Sequence, residues 1–415
     1  MTNTGRRVGV LNFPGHMNQG ANLTAYALQR TLKLMGCEVA NLHLMSNYAH
    51  SKDARYTDFA DENVCMTAAK SWGEFSMQQY NKDFDTFIVG SDQVWRYIDG
   101  EWMFGWKTYL EPCYYLGFAE PGKRRIAMAV SFGRDDYSAP EPVQKRCAEE
   151  LKRFCAISVR EKSAVGIVRN IADVEVEQVI DPVFHMRASE WDEFATPAQP
   201  GRKGSFVAYN SFFSGETIKE LEQGLNDGKA FVPLLAGSTK DWLANIRDAR
   251  FIISDSYHVC CFCLIYGTPF VALSRRDQGK ARFDELAEYF GFDSRRIIDT
   301  TEVTDLVQAI REVMELPFDA EAVWERIADG REISLRWLQN ALNAPVPEWS
   351  GPAFVEATPA AVRREKRENW QVKMQKADTF RYYVYTLLYY TCPFMRDRIN
   401  DRYARYSRIV KNFCW

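Results

Sequence analysis

The sequence predicts an α/β protein with two parallel-sheet domains and a C-terminal extension. Short, continuously apolar runs alternate with longer runs of helical periodicity, which is typical of parallel strands covered by helices on both faces. The chain has 415 residues, more than a single hydrophobic core usually holds. A segment rich in proline and glycine, residues 196–204, separates two series of such runs and is a candidate linker.

Each strand and helix is predicted from its apolar pattern. In the first series, strands are predicted at 8–13, 39–44, 86–90, 126–132 and 156–159, with a helix at 21–35 after the first strand. In the second series, strands are predicted at 206–209, 231–234, 251–254 and 270–273, and helices at 215–225, 239–248, 259–266 and 281–290. The alternation predicts that each domain has a parallel sheet between layers of helices.

Composition argues against several classes of protein. Hydrophobic residues make up 46% of the chain, so sizeable cores can form and the chain is not disordered. The net charge of −3 argues against a general nucleic-acid-binding protein. Residues 1–9 lack the apolar core of a signal peptide, and no apolar stretch is long enough to span a membrane. Cysteines within apolar runs and scattered histidines fit a reducing cytosol and predict no zinc site.

The C-terminal segment differs in charge from the rest of the chain. Residues 360–415 contain 13 Lys and Arg against 5 Asp and Glu, a net charge of +8, with many aromatic residues between them. Aromatic rings and long cationic side chains suit the interface of an anionic membrane. A pair of helices that packs on the acidic body of the protein explains the same composition equally well.

Two polar segments follow predicted strands of the first domain, at the sheet edge where open α/β sheets bind ligands. Asn18 and Gly20 lie in a loop that opens the first helix, where free N–H groups attract anions, although such a loop is often only a tight turn. Asp92 and Gln93 are suited to bind sugar hydroxyls, and Asp92 is a candidate general base. Capping of a helix by Ser91 or Asp92 is the alternative.

Two further segments supply a cation and an imidazole. Arg160 ends a buried strand and can bind a carboxylate or phosphate through two parallel hydrogen bonds, unless it pairs with Glu161 or Asp181 instead. Ser256 and His258 begin an apolar helix whose positive end favours a bound anion and a neutral imidazole. His258 can donate a proton or hydrogen-bond a phosphate, or it is a buried histidine bonded to a backbone carbonyl.

Together these segments resemble the polysaccharide pyruvyl transferase family. Asn18-Gln19-Gly20 precedes the helix LTAYALQ, and GSDQVW, SFG, SVRE, DP and SYH follow in the order typical of that family. The ordered set is specific and spans roughly residues 8–300. Two departures are Tyr257, where phenylalanine is commoner, and Val259, where the family usually has glycine. The tail from about residue 345 lies outside the resemblance.

The resemblance implies two Rossmann-like domains that face a cleft, as in the GT-B glycosyltransferase architecture. It also implies phosphoenolpyruvate as donor, two hydroxyls of a sugar as acceptor and a pyruvate ketal as product. The sugar would belong to a cell-surface polysaccharide or its lipid-linked precursor. No cofactor or metal is expected, because arginines and helix dipoles can stabilise the charges of the donor.

The candidate site residues follow from the needs of that reaction. Arg160 and His258 are the main candidates for binding the carboxylate and phosphate of the donor, and Lys280 and Arg282 are helpers. His258 is the candidate acid that protonates the donor, or it stabilises the departing phosphate. Asp92 is the candidate base on the acceptor side. Asn18, Gly20, Gln93 and Ser256 complete the set of predicted substrate-binding residues.

The predicted organisation assigns residues 1–195 to an acceptor-side domain and 205–342 to a donor-side domain. A linker at 343–360 leads to a basic, aromatic, helical tail at 361–415. The protein is predicted to be cytoplasmic, with peripheral contact to the inner face of the membrane through the tail.

Two other functions fit the sequence. A GT-B-type nucleotide-sugar glycosyltransferase would have the same architecture, because a fold does not fix a function. A non-catalytic, membrane-associated binding protein would account for Val259 and for the composition of the tail.

Overall fold

Two parallel β-sheets, each with its own helices, organise the structure. A computed structural model describes residues 5–12, 18–44, 54–97, 111–210, 215–225, 230–234, 237–274, 280–349 and 353–366. The prediction of two parallel-sheet α/β domains is confirmed.

The first sheet has seven strands in the order β3-β2-β1-β4-β5-β6-β7. Its strands are β1 (Arg7–Leu11), β2 (Glu38–Leu44), β3 (Met66–Ser71), β4 (Thr86–Val89), β5 (Arg124–Val130), β6 (Ala156–Val159) and β7 (Glu177–Gln178). Its helices are α1 (Gln19–Leu34), α2 (Ala54–Asn63), α3 (Glu74–Met77), α4 (Glu111–Tyr114), α5 (Glu141–Leu151), α6 (Lys162–Ala172) and α7 (Ala188–Asp192). The strand order reverses between β1 and β4, which opens a crevice at their carboxyl ends.

The second sheet has five strands in the order β12-β11-β10-β8-β9. Its strands are β8 (Phe206–Asn210), β9 (Ala230–Pro233), β10 (Phe251–Ser254), β11 (Phe270–Ser274) and β12 (Ile297–Asp299). The helices of this half are α8 (Gly215–Gly224), α9 (Thr239–Asp248), α10 (Tyr257–Tyr266), α11 (Ala281–Phe290), α12 (Leu306–Met314) and α13 (Ala320–Asn343). Here the order reverses between β8 and β10, so α10 begins beside the crevice of this sheet.

Helix α10 is central to the second half because it is apolar on every side. Nine of its ten residues are buried, from Tyr257 to Ile265. The helix ends at Gly267, whose φ of 68° is the left-handed conformation that glycine adopts without strain. A side chain at Gly267 would collide with Trp324 of α13, which packs directly against this turn. The end of α10 is therefore fixed by backbone conformation and by packing.

Helix α13 joins the hydrophobic cores of the two halves. Val323 and Ile327, near its beginning, belong to the core that contains α10. Trp337, Leu338 and Leu342, near its end, belong to a core with β1 and α1 of the first half. The predicted boundaries assign residues up to 342 to the second domain, whereas the last turns of α13 pack on the first sheet.

The chain after α13 returns to the first half, in a segment that we call the strap (residues 345–349 and 353–366). Trp349 lies under two guanidinium groups, 5.2 Å from Arg125 and 4.1 Å from Arg153. Glu365 accepts hydrogen bonds from the backbone N–H groups of Phe75 and Ser76 at the start of α3, at 2.7 and 2.9 Å. These contacts anchor the strap on the first half.

Most of the predicted tail, residues 367–415, lies outside the described residues. In the part of the chain that is described, no helix has both the length and the apolar character needed to cross a membrane. The predicted contact between the tail and a membrane therefore stays a prediction.

Candidate functional site

The first turns of α1 and α10, one from each half, meet at Gly20 and His258. A Cβ atom on Gly20 would overlap the His258 ring, so only glycine lets the imidazole pack this close to α1. The hydroxyl of Thr24, one turn further along α1, lies 3.1 Å from His258 Nε2. The glycine loop and the histidine motif, which are far apart in the sequence, therefore form one site.

Asp181 lies at the centre of this site, with only 1% of its surface exposed. Its Oδ2 accepts hydrogen bonds from Ser91 Oγ at 3.1 Å and from Arg160 Nη1 at 3.0 Å, and lies 3.8 Å from His258 Nε2. Its Oδ1 accepts a bond from Thr24 Oγ1 at 3.4 Å and one from a backbone N–H at 3.1 Å. We call Asp181, Thr24, Ser91, Arg160 and His258 the Asp181 cluster.

The Asp181 carboxylate stays ionised although it is buried. Burial alone would raise its pKa, but the nearby His258 imidazole, together with the charge of Arg160, outweighs burial. The pKa of Asp181 therefore lies well below its usual range. A fixed negative charge at this point orients the guanidinium of Arg160 and the imidazole of His258 at the same time.

Arg160 is held rigidly by ion pairs and by an aromatic ring. Nε lies 2.9 Å from Glu161 Oε1, and Cζ stands 4.1 Å above the ring of Tyr257. Burial lowers the pKa of Arg160, but the negative groups around it, Glu161 first, raise it above its ordinary value. Nη2 lies 3.6 Å from Asp92 Oδ1, is buried and has no hydrogen-bond partner among the residues that the structure describes. Both pairings that the sequence left open, to Glu161 and to Asp181, occur in the structure.

Asp92 and Gln93 lie in a tight turn after β4, and no helix follows directly in residues 93–97. Asp92 has a φ of 86°, a conformation that is uncommon for residues other than glycine. The turn is held because the carbonyl of Asp92 accepts a bond from Ser131 N at 3.0 Å and its Oδ1 accepts one from Gln93 N at 2.7 Å. Gln93 Oε1 accepts a bond from Arg96 Nη1 at 2.9 Å. Strained turns of this kind concentrate at functional sites.

A small cleft lies beside the Asp181 cluster. Arg160 and Asp181 line it from the first half, and Tyr257, Arg282 and Glu285 line it from the second. Burial and the positive charge of Arg160 lower the pKa of Arg282. Two guanidinium groups that repel each other across a cleft are stabilised when an anion binds between them. The lining also contains the carboxylates of Glu161, Asp181 and Glu285, so an anion in the cleft would meet both guanidinium groups and carboxylates.

The other predicted substrate-binding residues make local contacts. Asn18 caps α1, since its Oδ1 accepts a bond from the backbone N–H three residues on at 3.3 Å. Ser256 occupies the capping position of α10, where its N–H donates to a hydroxyl of β10 at 3.0 Å. Lys280 Nζ pairs with both carboxylate oxygens of Asp284, at 2.9 and 2.8 Å. Of the two predicted helpers, only Arg282 lines the cleft.

Several residues of the site were not predicted from the sequence. Thr24 and Tyr257 lie inside the motifs but had no predicted role, and Glu285 lies in a helix that was noted only as a helix. Glu285 accepts hydrogen bonds from the backbone N–H groups of Lys162 and Ser163, so a carboxylate of the second half caps α6 of the first. This contact depends on how the two halves pack together, and a single sequence does not show that packing.

The cysteines and histidines of the described residues form no metal site. No group of three or more His, Cys, Asp or Glu side chains there is arranged to hold a metal ion. Cys260, Cys261 and Cys263 lie in the buried core of α10, and burial raises the pKa of all three thiols. These thiols are therefore neutral packing groups.

The arrangement of two parallel-sheet halves defines the structural class. The fold is similar to that of LpCGTa in complex with UDP, with a TM-score of 0.51, 12% identity and coverage of 82% of this chain and 99% of that one. It is also similar to Arabidopsis thaliana UGT89C1 complexed with UDP-L-rhamnose, with a TM-score of 0.51, 10% identity and coverage of 81% and 98%. At this identity the likeness concerns the fold alone, and it confirms the predicted GT-B-like architecture.

The motifs then identify the family within this class. The family model described as polysaccharide pyruvyl transferase matches residues 18–277, more than half of the chain, and the chain belongs to this family. The matched region begins at Asn18 and includes both His258 and the whole Asp181 cluster. A comparison with curated protein sequences finds no significant match.

Proposed function

We propose that this protein transfers the three-carbon unit of phosphoenolpyruvate to two hydroxyls of a sugar and forms a pyruvate ketal. The observation that carries this proposal is the cleft lined by Arg160, by Arg282 and by Tyr257 of the first turn of α10. Asp181, which also lines the cleft, lies 3.8 Å from the His258 imidazole. Membership in the family supports the reaction type. Phosphoenolpyruvate, with a carboxylate and a phosphate, matches a cleft with two guanidinium groups and a helix N-terminus.

The reaction assigns a role to each group. His258, placed by Asp181 and Thr24, donates a proton to the methylene carbon, which makes the adjacent carbon electrophilic. A sugar hydroxyl attacks that carbon and loses its proton to Asp92. A second hydroxyl then displaces phosphate and passes its proton back to His258, which closes the ketal ring and leaves inorganic phosphate as the second product. Arg160 and Arg282 stabilise the charge on the carboxylate and on the departing phosphate.

A donor-binding experiment tests the proposal. Phosphoenolpyruvate should raise the melting temperature of the wild type, because a ligand that binds only the folded state stabilises it. Arg282→Met should abolish this shift, because it removes a cation from the cleft. Arg295→Met is the matched control, since Arg295 is paired with Asp293 on the surface and should leave the shift intact. Mass spectrometry of sugars incubated with phosphoenolpyruvate should show a mass gain equal to pyruvate minus water.

The same experiment separates the proposal from its rival. The structures with a similar fold carry UDP and UDP-L-rhamnose, so a nucleotide-sugar transferase is the second candidate. Protection by UDP-sugars with none by phosphoenolpyruvate would reject the ketal-forming reaction in favour of this candidate.

We also propose that residues 367–415 dock the protein on an anionic membrane, close to a lipid-linked acceptor at the inner face. The support is the composition, since each basic residue near such a surface contributes about 1 kcal/mol. A chain that ends at Lys366 keeps the Glu365 contacts with α3 and removes the rest of the tail. Sedimentation with phosphatidylglycerol vesicles should pull down the full chain and not the shortened one. Equal binding by both would reject a membrane role for the tail.

A further inference from the structure

Two buried amides of the β1–α1 region lack hydrogen-bond partners among the described residues. Asn12 directly follows β1 and is only 6% exposed, yet within the described part of the chain neither Oδ1 nor Nδ2 makes a hydrogen bond. Gln19, at the start of α1, is 3% exposed, and its Nε2 likewise has no partner in the described ranges. Buried polar groups are nearly always hydrogen-bonded in folded proteins, to protein, water or ligand, so the Asn12 amide is free to bind a group from outside the described residues.

Asn12 lies at the point where the strand order of the first sheet reverses. Leu11 is paired with Val89 in the parallel β1–β4 ladder, so Asn12 lies beside the turn that contains Ser91. Open α/β sheets bind their ligands in the crevice at this point, outside the carboxyl ends of the strands. Ser91 in turn donates to Asp181, so the backbone at Asn12 runs beside the residue that precedes a member of the Asp181 cluster.

Gln19 lies at the other end of the β1–α1 connection. It immediately precedes Gly20, the residue on which the His258 ring packs. The two amides therefore come from the two ends of the β1–α1 connection, and each lies next to a residue that contacts the cluster.

The chemistry of Asn12 restricts the ligand. Its Oδ1 needs a hydrogen-bond donor and its Nδ2 needs an acceptor, and this holds whichever way the amide is turned. Carboxylate and phosphate groups offer acceptors only, so an anionic donor substrate would leave Oδ1 unpaired. A sugar hydroxyl both donates and accepts, and therefore satisfies both atoms of the amide.

We propose that Asn12, supported by Gln19, binds hydroxyl groups of the acceptor sugar in the crevice between β1 and β4. This inference rests on the proposed function and extends it by giving the acceptor its own subsite. In this arrangement the donor binds in the cleft beside Arg160 and Arg282. The sugar is held on the first half by neutral amides, next to the Asp92 carboxylate that receives its proton.

Kinetics of an isosteric variant test the subsite. Asn12→Leu should raise KM for 4-nitrophenyl hexopyranosides by about tenfold or more, because the sugar hydroxyl loses both of its partners. KM for phosphoenolpyruvate should stay unchanged. The melting temperature of the free variant should equal or exceed that of the wild type, since an unpaired buried amide is replaced by an apolar group of similar size.

Asn81→Leu is the matched control. Asn81 is also buried, but its amide donates to the carbonyls of Gln78 and Phe118 and accepts from Glu120 N. This substitution should lower the melting temperature and leave KM for the glycosides unchanged. A fall in melting temperature of similar size for Asn12→Leu would show that Asn12 has a structural role, and would overturn the inference.

A second measurement separates failure of the subsite from failure of the proposed reaction. Saturation-transfer NMR with the 4-nitrophenyl hexopyranosides, without phosphoenolpyruvate, should show binding to the wild type and none to Asn12→Leu. If the wild type binds the glycosides but never consumes phosphoenolpyruvate, the proposed reaction fails and the sugar subsite stands. Equal glycoside binding by both proteins, or no binding by the wild type, overturns the subsite.

Discussion

The contact between Gly20 and His258 requires that residue 20 of α1 has no side chain larger than hydrogen. We expect Gly20→Ala to push the imidazole out of place, because the new methyl group would occupy the position of the ring. A displacement of about 1 Å lowers catalytic efficiency by about 100-fold. Measuring kcat/KM for ketal formation checks this expectation.

Gly166→Ala supplies the control for that measurement. Gly166 lies within α6, and an added Cβ would meet no other atom within 4 Å. Alanine favours a helix by about 1 kcal/mol over glycine, so this variant should be more stable and equally active. Full activity in Gly20→Ala would contradict the proposed role of the packed imidazole.

Because His185 is buried, we expect the folded protein to lose stability on mild acidification. It is buried between Thr31 Oγ1, at 3.1 Å from Nδ1, and Ser334 Oγ, at 2.8 Å from Nε2. Burial lowers its pKa from 6.5 to about 4, so the folded protein keeps it neutral. Between these values the unfolded chain binds more protons, so the stabilisation is complete above pH 6.5 and falls with the pH until about pH 4.

The size of this effect follows from the two pKa values. From pH 7 to pH 5 the free energy of unfolding should fall by about 2 kcal/mol through His185 alone. Urea unfolding of the wild type and His185→Gln at both pH values isolates this contribution, because other titrating groups are shared. Parallel losses in the two proteins would show that His185 does not carry the effect.

At the scale of residues, the sequence indicated candidate side chains but not the groups that contact them. Arg160 and His258 stand at strand and helix ends in recognisable motifs, so their types and positions suggested a role. Asn12 gave no such signal, because an asparagine after an apolar strand is common in turns. Its lack of partners is a property of the packed structure and is not encoded in any local pattern.

At the scale of elements, Glu285 of α11 fastens the second half to the amino-terminal end of α6. We expect Glu285→Ala to lower the free energy of unfolding by about 1 kcal/mol, because two N–H groups of α6 lose their acceptor. Glu288→Ala is the control, since the Lys162–Glu288 pair at 3.1 Å is largely exposed and contributes about 0.5 kcal/mol or less. Urea unfolding of both variants measures the difference, and equal losses would contradict the capping role.

The strands that the sequence did not predict were missed for two reasons. β3 is an edge strand whose side chains are mostly exposed, so it lacks the apolar run that marks a buried parallel strand. β7 has only two residues and β12 only three, too few for any periodicity. The central strands β4 and β10, by contrast, are buried at every position and were found.

At the scale of the whole molecule, α13 should make the two halves unfold together. Leu338 is fully buried in the first half, so Leu338→Ala should cost about 2–5 kcal/mol. We expect calorimetry to show one transition for the wild type and two for this variant, because the first half would lose its shared packing. Ile333→Ala, at a position of the same helix that is 42% exposed, should leave a single transition. Two transitions in the wild type would contradict the coupling.

The two-sheet architecture was predictable from the sequence, whereas the packing of the strap on the first half was not. Alternating apolar runs predict two parallel sheets because each strand must be buried on both faces. The strap follows no such rule, since it is held by single contacts such as Trp349 under Arg153 and Glu365 at α3. The composition of the strap predicted only a linker, because the residues that the strap contacts are distant in the sequence.

The anchoring of the strap also decides which half of the molecule the tail accompanies. Glu365 is fixed to α3, so everything after Lys366 is tethered to the sheet of β1 and β4 and only indirectly to the sheet of β8 and β10. If a membrane bound the tail, the first half would be held at that membrane. Any widening of the cleft to admit the donor would then move the second half relative to the first, about α13.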